Sequence, residues 1–241
     1  MLDGHSARRI NRLLTGLPDA RAYLEIGLAT GATFENVNAP IRWGVDPRPQ
    51  FDVHHLPPGV HVHVGTSDKF FELLPSQRTQ FDVVFLDGLH TFRQTYRDLI
   101  NAFRVCPNGI ILMDDVVPID EASAIPDRSA AVDAHRRLGL SRSPNLWHGD
   151  VFRVLLILRA HHPELEFCTI EGPDNPQALI WKRQAVAAVQ GRREEELRPL
   201  DAIEYGDVFS EGIPSYLRPA PEDIALERAL TQSLATRKEY H

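Results

Sequence analysis

Phe81-Asp82-Val83-Val84-Phe85-Leu86-Asp87-Gly88-Leu89-His90, followed by Ile110-Ile111-Leu112-Met113-Asp114-Asp115, is the stretch on which the fold turns. Each part is a short apolar run, 81–86 and 110–113, that ends in carboxylates. Runs of this length bounded by Gly or Pro read as buried strands. Between them, Phe92, Tyr96, Leu99, Ile100 and Phe103 fall at helical spacing, so one face of that helix belongs to the core. Strand, helix, strand makes a right-handed crossover with parallel strands. Parallel strands bring Asp87, His90, Asp114 and Asp115 to one edge of the sheet, where open α/β folds bind their ligands. Three acids gathered there repel unless something positive lies between them. Adjacent strand residues point to opposite faces, so Asp115 joins Asp114 only if the strand has ended.

Upstream, residues 21–26 form a strand candidate that runs into Gly27-Leu-Ala-Thr30-Gly31. Glycines four apart after a first strand allow a tight turn and close approach of backbone to a ligand. The spacing, Glu25-x-Gly27-x-x-x-Gly31, differs from the GxGxxG of dinucleotide enzymes. A second strand, Ile41–Asp46, stops at Pro47, and an acid at its end suits the two hydroxyls of a ribose. His54, His55, His61 and His63 suggest a metal cluster. However, Pro57-Pro58-Gly59 breaks the run, and His61 and His63 alternate with Val60, Val62 and Val64 as in a half-exposed strand. Ser67 or Asp68 then caps a helix. At the N-terminus, Ile10, Leu13 and Leu14 share a helix face, with Arg8, Arg9 and Arg12 on the other.

Downstream, the crossover helix starts near Thr91, so His90 sits at a helix N-terminus, where the dipole disfavours imidazolium and favours the neutral form a general base needs. Residues 117–149, with Pro118, Pro126 and Pro144, read as a wall or lid over the site. Trp147-His148-Gly149 is a candidate acceptor lining, and Asp150 an N-cap for the apolar helix that follows. Residues 167–170 and 178–181, separated by a loop at 172–176, read as a closing antiparallel hairpin. The core domain then spans 1–183. An extension, 184–241, carries Tyr205, Phe209, Tyr216 and a last helix with Ile224, Leu226, Leu230 and Leu234. It serves as a lid, as packing on the parent domain, or as an oligomerisation segment of a homodimer, and the sequence does not choose.

The 241 residues suffice for one full core plus an extension, and 43% of them are hydrophobic. No run approaches the ~18 apolar residues of a membrane span, and the first residues lack the order of a signal peptide. Cys106 and Cys168 have no CxxC pattern and read as buried thiols of a cytoplasmic protein. A net charge of −7 argues against a broad nucleic-acid footprint.

Taken in order, Glu25-x-Gly27-x-x-x-Gly31, Asp46 and Phe81-Asp-Val-Val-Phe-Leu-Asp87-Gly resemble the motifs of class I S-adenosylmethionine (SAM) dependent methyltransferases over about residues 1–183. The resemblance implies a Rossmann-like, seven-stranded, mostly parallel sheet with helices on both faces. More narrowly, Asp87-Gly-Leu-His90 with Met113-Asp114-Asp115 is similar to metal-dependent sugar O-methyltransferases of the macrolide-sugar and methylmannose-polysaccharide type. Cephalosporin-hydroxylase-type proteins share much of that pattern. The implied cofactors are SAM and Mg2+. Glu25 and the Gly27–Thr30–Gly31 turn would hold the amino-acid end of SAM and Asp46 its ribose, with Ser67 and Asp68 near the adenine. Asp87 would border the cofactor and, with Asp114 and Asp115, hold the metal. His90 would take the proton from a saccharide hydroxyl.

The chemistry agrees with the residue types. A neutral sugar hydroxyl is a poor nucleophile, and a hard cation on oxygen ligands lowers its pKa. An Asp-rich site without cysteine disfavours a thiolate metal. Two other functions stay open: methylation of a catechol-like or other vicinal-diol metabolite, and a non-catalytic accessory protein. The expected partners are hydroxylated small molecules, with no nucleic acid and no membrane span.

Overall fold

The computed structural model describes residues 4–74, 80–139, 146–172, 176–184 and 188–238. Pro144 of the expected wall and residues 173–175 of the hairpin loop lie outside them. The chain runs α1 (Gly4–Gly16), β1 (Ala22–Ile26), α2 (Ala32–Glu35), β2 (Ile41–Asp46), β3 (Val60–Val64), α3 (Ser67–Leu73), β4 (Val83–Leu86), α4 (Phe92–Val105) and β5 (Ile110–Met113). It continues through α5 (Arg128–Leu138), α6 (Phe152–His161), β6 (Leu165–Glu171), β7 (Ala178–Lys182), α7 (Glu194–Leu197), α8 (Tyr205–Phe209), β8 (Pro219–Pro221) and α9 (Glu222–Lys238).

The sheet order is β3-β2-β1-β4-β5-β7-β6-β8. β1 to β5 are parallel, and β7 joins antiparallel to both β5 and β6. The crossover and the closing hairpin are therefore as read from the sequence. Among the described residues the sheet has eight strands rather than seven, because β8 in the C-terminal extension pairs parallel with β6. Its two prolines conceal it, and they are tolerated because β8 is an edge strand.

β4 and β5 are buried throughout, as befits parallel strands covered on both faces. Val84, Leu86, Ile111 and Met113 face α4 and α6, where Tyr96, Leu99, Phe103, Leu155 and Leu158 pack. Val83, Phe85, Ile110 and Leu112 face the opposite layer, made by Ile10, Leu13 and Leu14 of α1 and by Ala225, Leu226 and Ala229 of α9. The last helix thus lies on the sheet. Its small residues allow close approach, and of the expected apolar stripe Leu226 is buried while Ile224 stays exposed.

Arg9 departs from the expected polar face of α1. It is buried, its Nε bonding Glu222 at 2.9 Å and one terminal nitrogen bonding Gln177 at 2.7 Å. Glu222 receives Arg8 and Arg12 as well, so a carboxylate on α9 draws one arginine of α1 inward. Among the described residues, no helix is long and apolar enough to cross a membrane.

Register places the site. Ile26 lies beside both Val45 and Leu86, and Leu86 lies beside Met113. The next residues, Gly27, Asp46, Asp87 and Asp114, therefore stand side by side at the carboxyl edge of the sheet.

Candidate active site

A cleft of about 590 Å³ opens at that edge, walled by Gly27, Asp46, Thr66–Asp68, Asp87–His90, Gln94 and Asp98, among others. Gly27 has φ 92°, and a Cβ there would lie 1.8 Å from the Asp87 carbonyl oxygen. Only glycine lets the first turn pass so close to the end of β4. The Asp46 carboxylate fastens this turn. Its Oδ2 accepts from the Leu28 and Ala29 N–H groups at 2.9 and 3.0 Å, and Oδ1 from Arg48 N–H at 2.6 Å. A carboxylate has about four acceptor positions, so about one is left for a ligand hydroxyl rather than two.

Glu25, Thr30 and Gly31 stand back from the wall. Glu25 is buried in β1 and accepts from the Tyr23 hydroxyl at 2.6 Å, and burial pushes its carboxyl up to about 8. Thr30 is exposed, and Gly31 caps α2 against Phe51. Ser67 and Asp68 do line the cleft, but the cap of α3 is Thr66, which accepts from Lys69 N–H. Three cap-forming residues in a row made that choice invisible in sequence.

Sequence reasoning missed Gln94 and Asp98, one turn apart on the polar side of α4. The Gln94 amide donates to Ser67 at 3.1 Å, Asp68 at 3.2 Å and Asp98 at 3.0 Å. Burial pushes the Asp98 carboxyl up to about 6, against the pull of its hydrogen bonds to Ser67 and Gln94. A carboxyl that holds its proton more tightly when folded stabilises the fold at low pH. That contribution is lost as pH rises from the unfolded value near 4 through 6. In thermal scans, wild type should therefore lose Tm relative to Asp98→Asn between pH 4 and pH 7. Parallel pH profiles would show that Asp98 is not shifted.

Beyond Asp87 lies the second half of the site. Among the described residues, Asp87, His90 and Asp115 form the one group of three or more whose potential metal-ligand atoms lie within 4.8 Å of one another. Asp115 reaches this group because β5 has ended at Met113 and Asp115 takes φ 60°, a left-handed conformation that redirects its side chain. Asp114 stands beside the trio. Its Oδ1 accepts from Asp115 N–H at 2.9 Å, and its charge acts on Asp87. Burial raises the Asp87 pKa, and the Asp114 and Asp115 charges raise it further. The Asp87 side chain is 35% exposed, so solvent tempers the shift, but carboxylate crowding fixes its direction. Crowded oxygens and one imidazole fit a hard or borderline divalent cation.

His90 Nδ1 lies 2.7 Å from Asp115 Oδ2 and 3.0 Å from the Trp147 carbonyl, while Nε2 lies 3.5 Å from Asp87. Burial acts to lower the His90 pKa. Asp115, Asp87 and the Trp147 carbonyl outweigh it and push the value up to about 10. The expectation from the helix terminus alone is thus reversed by two carboxylates.

Asp150 also differs from its expected role. Its Oδ1 accepts from Phe92 N–H at 2.7 Å, so it closes the first turn of α4 rather than capping its own helix. The histidines of 54–63 form no metal cluster among the described residues. His55 pairs with Asp52, and His61 stacks on Trp43. Cys106 and Cys168 are free and buried.

Residues 20–116 match the sequence model of a family described as a methyltransferase domain. The match covers less than half of the chain. Every residue from the Gly27 turn through Asp115 lies within it, whereas Trp147 and Asp150 lie outside.

Solved structures align with the chain at low identity. CalS10, a SAM-bound amino pentose methyltransferase from Micromonospora echinaspora involved in calicheamicin biosynthesis, is 22% identical over 47% of this chain and 50% of that one, with a TM-score of 0.38. The plantazolicin methyltransferase BpumL, in complex with a monoazolic desmethylPZN analog and SAH, is 12% identical over 73% and 81%, with a TM-score of 0.48. The mycinamycin-pathway methyltransferase MycE, in complex with Mg, SAH and mycinamycin VI, is 15% identical over 78% and 51%, with a TM-score of 0.47. The chain thus spans about half the length of CalS10 and of MycE. No curated protein matches it in sequence.

Proposed function

We propose that the chain is a SAM- and divalent-metal-dependent O-methyltransferase acting on a saccharide hydroxyl, with Mg2+ as the metal. The observation that carries this reading is the Asp87–His90–Asp115 trio at the rim of the cleft in a methyltransferase domain. The saccharide acceptor rests on the resemblance of Asp87-Gly-Leu-His90 and Met113-Asp114-Asp115 to sugar O-methyltransferases.

Asp46 and the Gly27 turn would anchor the ribose and the amino-acid end of the methyl donor, with Ser67 and Asp68 toward its base. Asp87 and Asp115 would hold the metal, with Asp114 beside them. When bound, a divalent cation supplies positive charge that offsets these carboxylates and acidifies a coordinated hydroxyl. The acceptor oxygen joins the methyl carbon as the carbon–sulfur bond breaks, and the hydroxyl proton must leave. His90 is arranged to take it. Nδ1 faces two acceptors and keeps its hydrogen, so Nε2 presents the lone pair. With a bound cation offsetting these carboxylates, His90 would be neutral and Nε2 able to accept the proton.

The test is calorimetric titration with SAM, followed by methyl transfer to a panel of methyl hexopyranosides and catechols, first with Mg2+ and then with a chelator. Transfer to a glycoside that the chelator abolishes is the expected result. SAM binding with transfer only to a catechol would replace the saccharide with a vicinal diol. Transfer untouched by the chelator would remove the metal.

A further inference from the structure

We propose that Trp147 is a positioning residue for His90, and that the loop 147–150, beyond the matched residues 20–116, fixes the imidazole on which the reaction proposed above depends. The indole and imidazole rings stack with centroids 4.7 Å apart and planes 6° from parallel. The carbonyl of the same residue accepts from His90 Nδ1 at 3.0 Å. Trp147 thus holds both the face and the edge of the ring.

Trp147 is itself immobilised. Its indole N–H donates to the Ile125 carbonyl at 2.7 Å, and the next two N–H groups, of His148 and Gly149, both donate to the Ser123 carbonyl, at 3.0 and 2.9 Å. Gly149 has φ 62°, and a Cβ there would fall 1.6 Å from the His90 carbonyl oxygen. The loop can reach His90 only because this residue is glycine. Asp150 completes the grip by accepting from Phe92 N–H. Three residues of this loop therefore clasp the chain around His90: Trp147 at the ring face and ring nitrogen, Gly149 at the backbone, and Asp150 at the N–H that starts α4.

With Nδ1 held by Asp115 and one ring face covered by indole, Nε2 can point only along the side toward Asp87 and the cleft. Misplacing a reacting group by about 1 Å can cost on the order of 10²-fold in rate. Loss of the stack should therefore act on the chemical step and leave binding alone.

The test compares Trp147→Ala and Trp147→Phe. In NMR spectra of the histidine rings, the His90 signal is the one that a His90→Gln variant lacks. The indole ring current should displace that signal from the free-histidine position. Trp147→Ala should abolish the displacement and Trp147→Phe retain part of it. On a methyl hexopyranoside, Trp147→Ala should lower kcat by roughly 10–100-fold with KM and SAM affinity unchanged, and Trp147→Phe should fall between. An unmoved His90 signal in Trp147→Ala would overturn the proposal, as would full kcat in a variant whose signal has moved. If Trp147→Ala does not fold, Trp147→Phe decides by the same two readouts. Should wild type methylate no glycoside at all, that result counts against the proposed reaction, while the NMR comparison still judges the clasp.

Discussion

A His90→Gln variant is expected to lose turnover by roughly 10²–10⁴-fold, the range for removing a general base, with SAM affinity unchanged by calorimetry. Glutamine keeps a polar side chain that can still bond Asp115 or the Trp147 carbonyl, so the local fold should survive. What it lacks is a nitrogen able to accept and release a proton near neutral pH. The separation of the two readouts follows from the layout of the site. His90 stands at the junction between the cleft and the carboxylates of Asp87 and Asp115, while the anchors expected to hold the donor, Gly27 and Asp46, lie at the ends of neighbouring strands. If SAM binding falls together with turnover, His90 shapes the cleft rather than moving a proton. If turnover survives, the base is another group.

Gly27→Ala should abolish SAM binding and destabilise the fold. Two costs coincide at this residue. Its φ of 92° is a conformation that L side chains rarely adopt, which costs on the order of 1–3 kcal/mol. Its Cβ would also lie 1.8 Å from the Asp87 oxygen and 2.5 Å from the Asp87 carbonyl carbon, backbone that cannot rotate away. Relief requires β1 and β4 to separate at the edge that carries Asp46, Asp87 and Asp114. The control is Gly206→Ala in α8, where nothing lies within 4 Å of the added carbon. Thermal denaturation and calorimetry should find Gly206→Ala like wild type and Gly27→Ala unable to bind. A Gly27→Ala protein with normal affinity would mean that the first turn does not touch the donor.

Much of this arrangement was legible in sequence because it rests on short-range pattern. Apolar runs that end in acids give β4 and β5, helical spacing gives α4, and parallel pairing then aligns Gly27, Asp46, Asp87 and Asp114 without further information. The features that escaped depend on contacts between distant segments. Trp147 meets His90 across 57 residues, and Arg9 is turned inward by Gln177 and Glu222, more than 160 residues away. The charge on His90 was misjudged because a helix terminus is visible in sequence, whereas Asp115 enters only through a left-handed turn after β5. β8 was hidden by prolines that argue against a strand unless it lies at an edge.

α9 also ties the far end of the sheet. Arg237 bonds Asp82 at 2.9 Å and the Asn108 carbonyl at 3.0 Å, and Asp82 in turn accepts from the N–H groups of Arg21 and Ala22 where β1 begins. Asp82 and Arg237 are 155 residues apart. At a synthesis rate of about 5–20 residues per second, a ribosome makes the first roughly 8–30 s before the second. Strands β1 to β5 are therefore synthesised well before the arginine that latches their opposite end, and that latch lies at the side of the sheet away from the cleft.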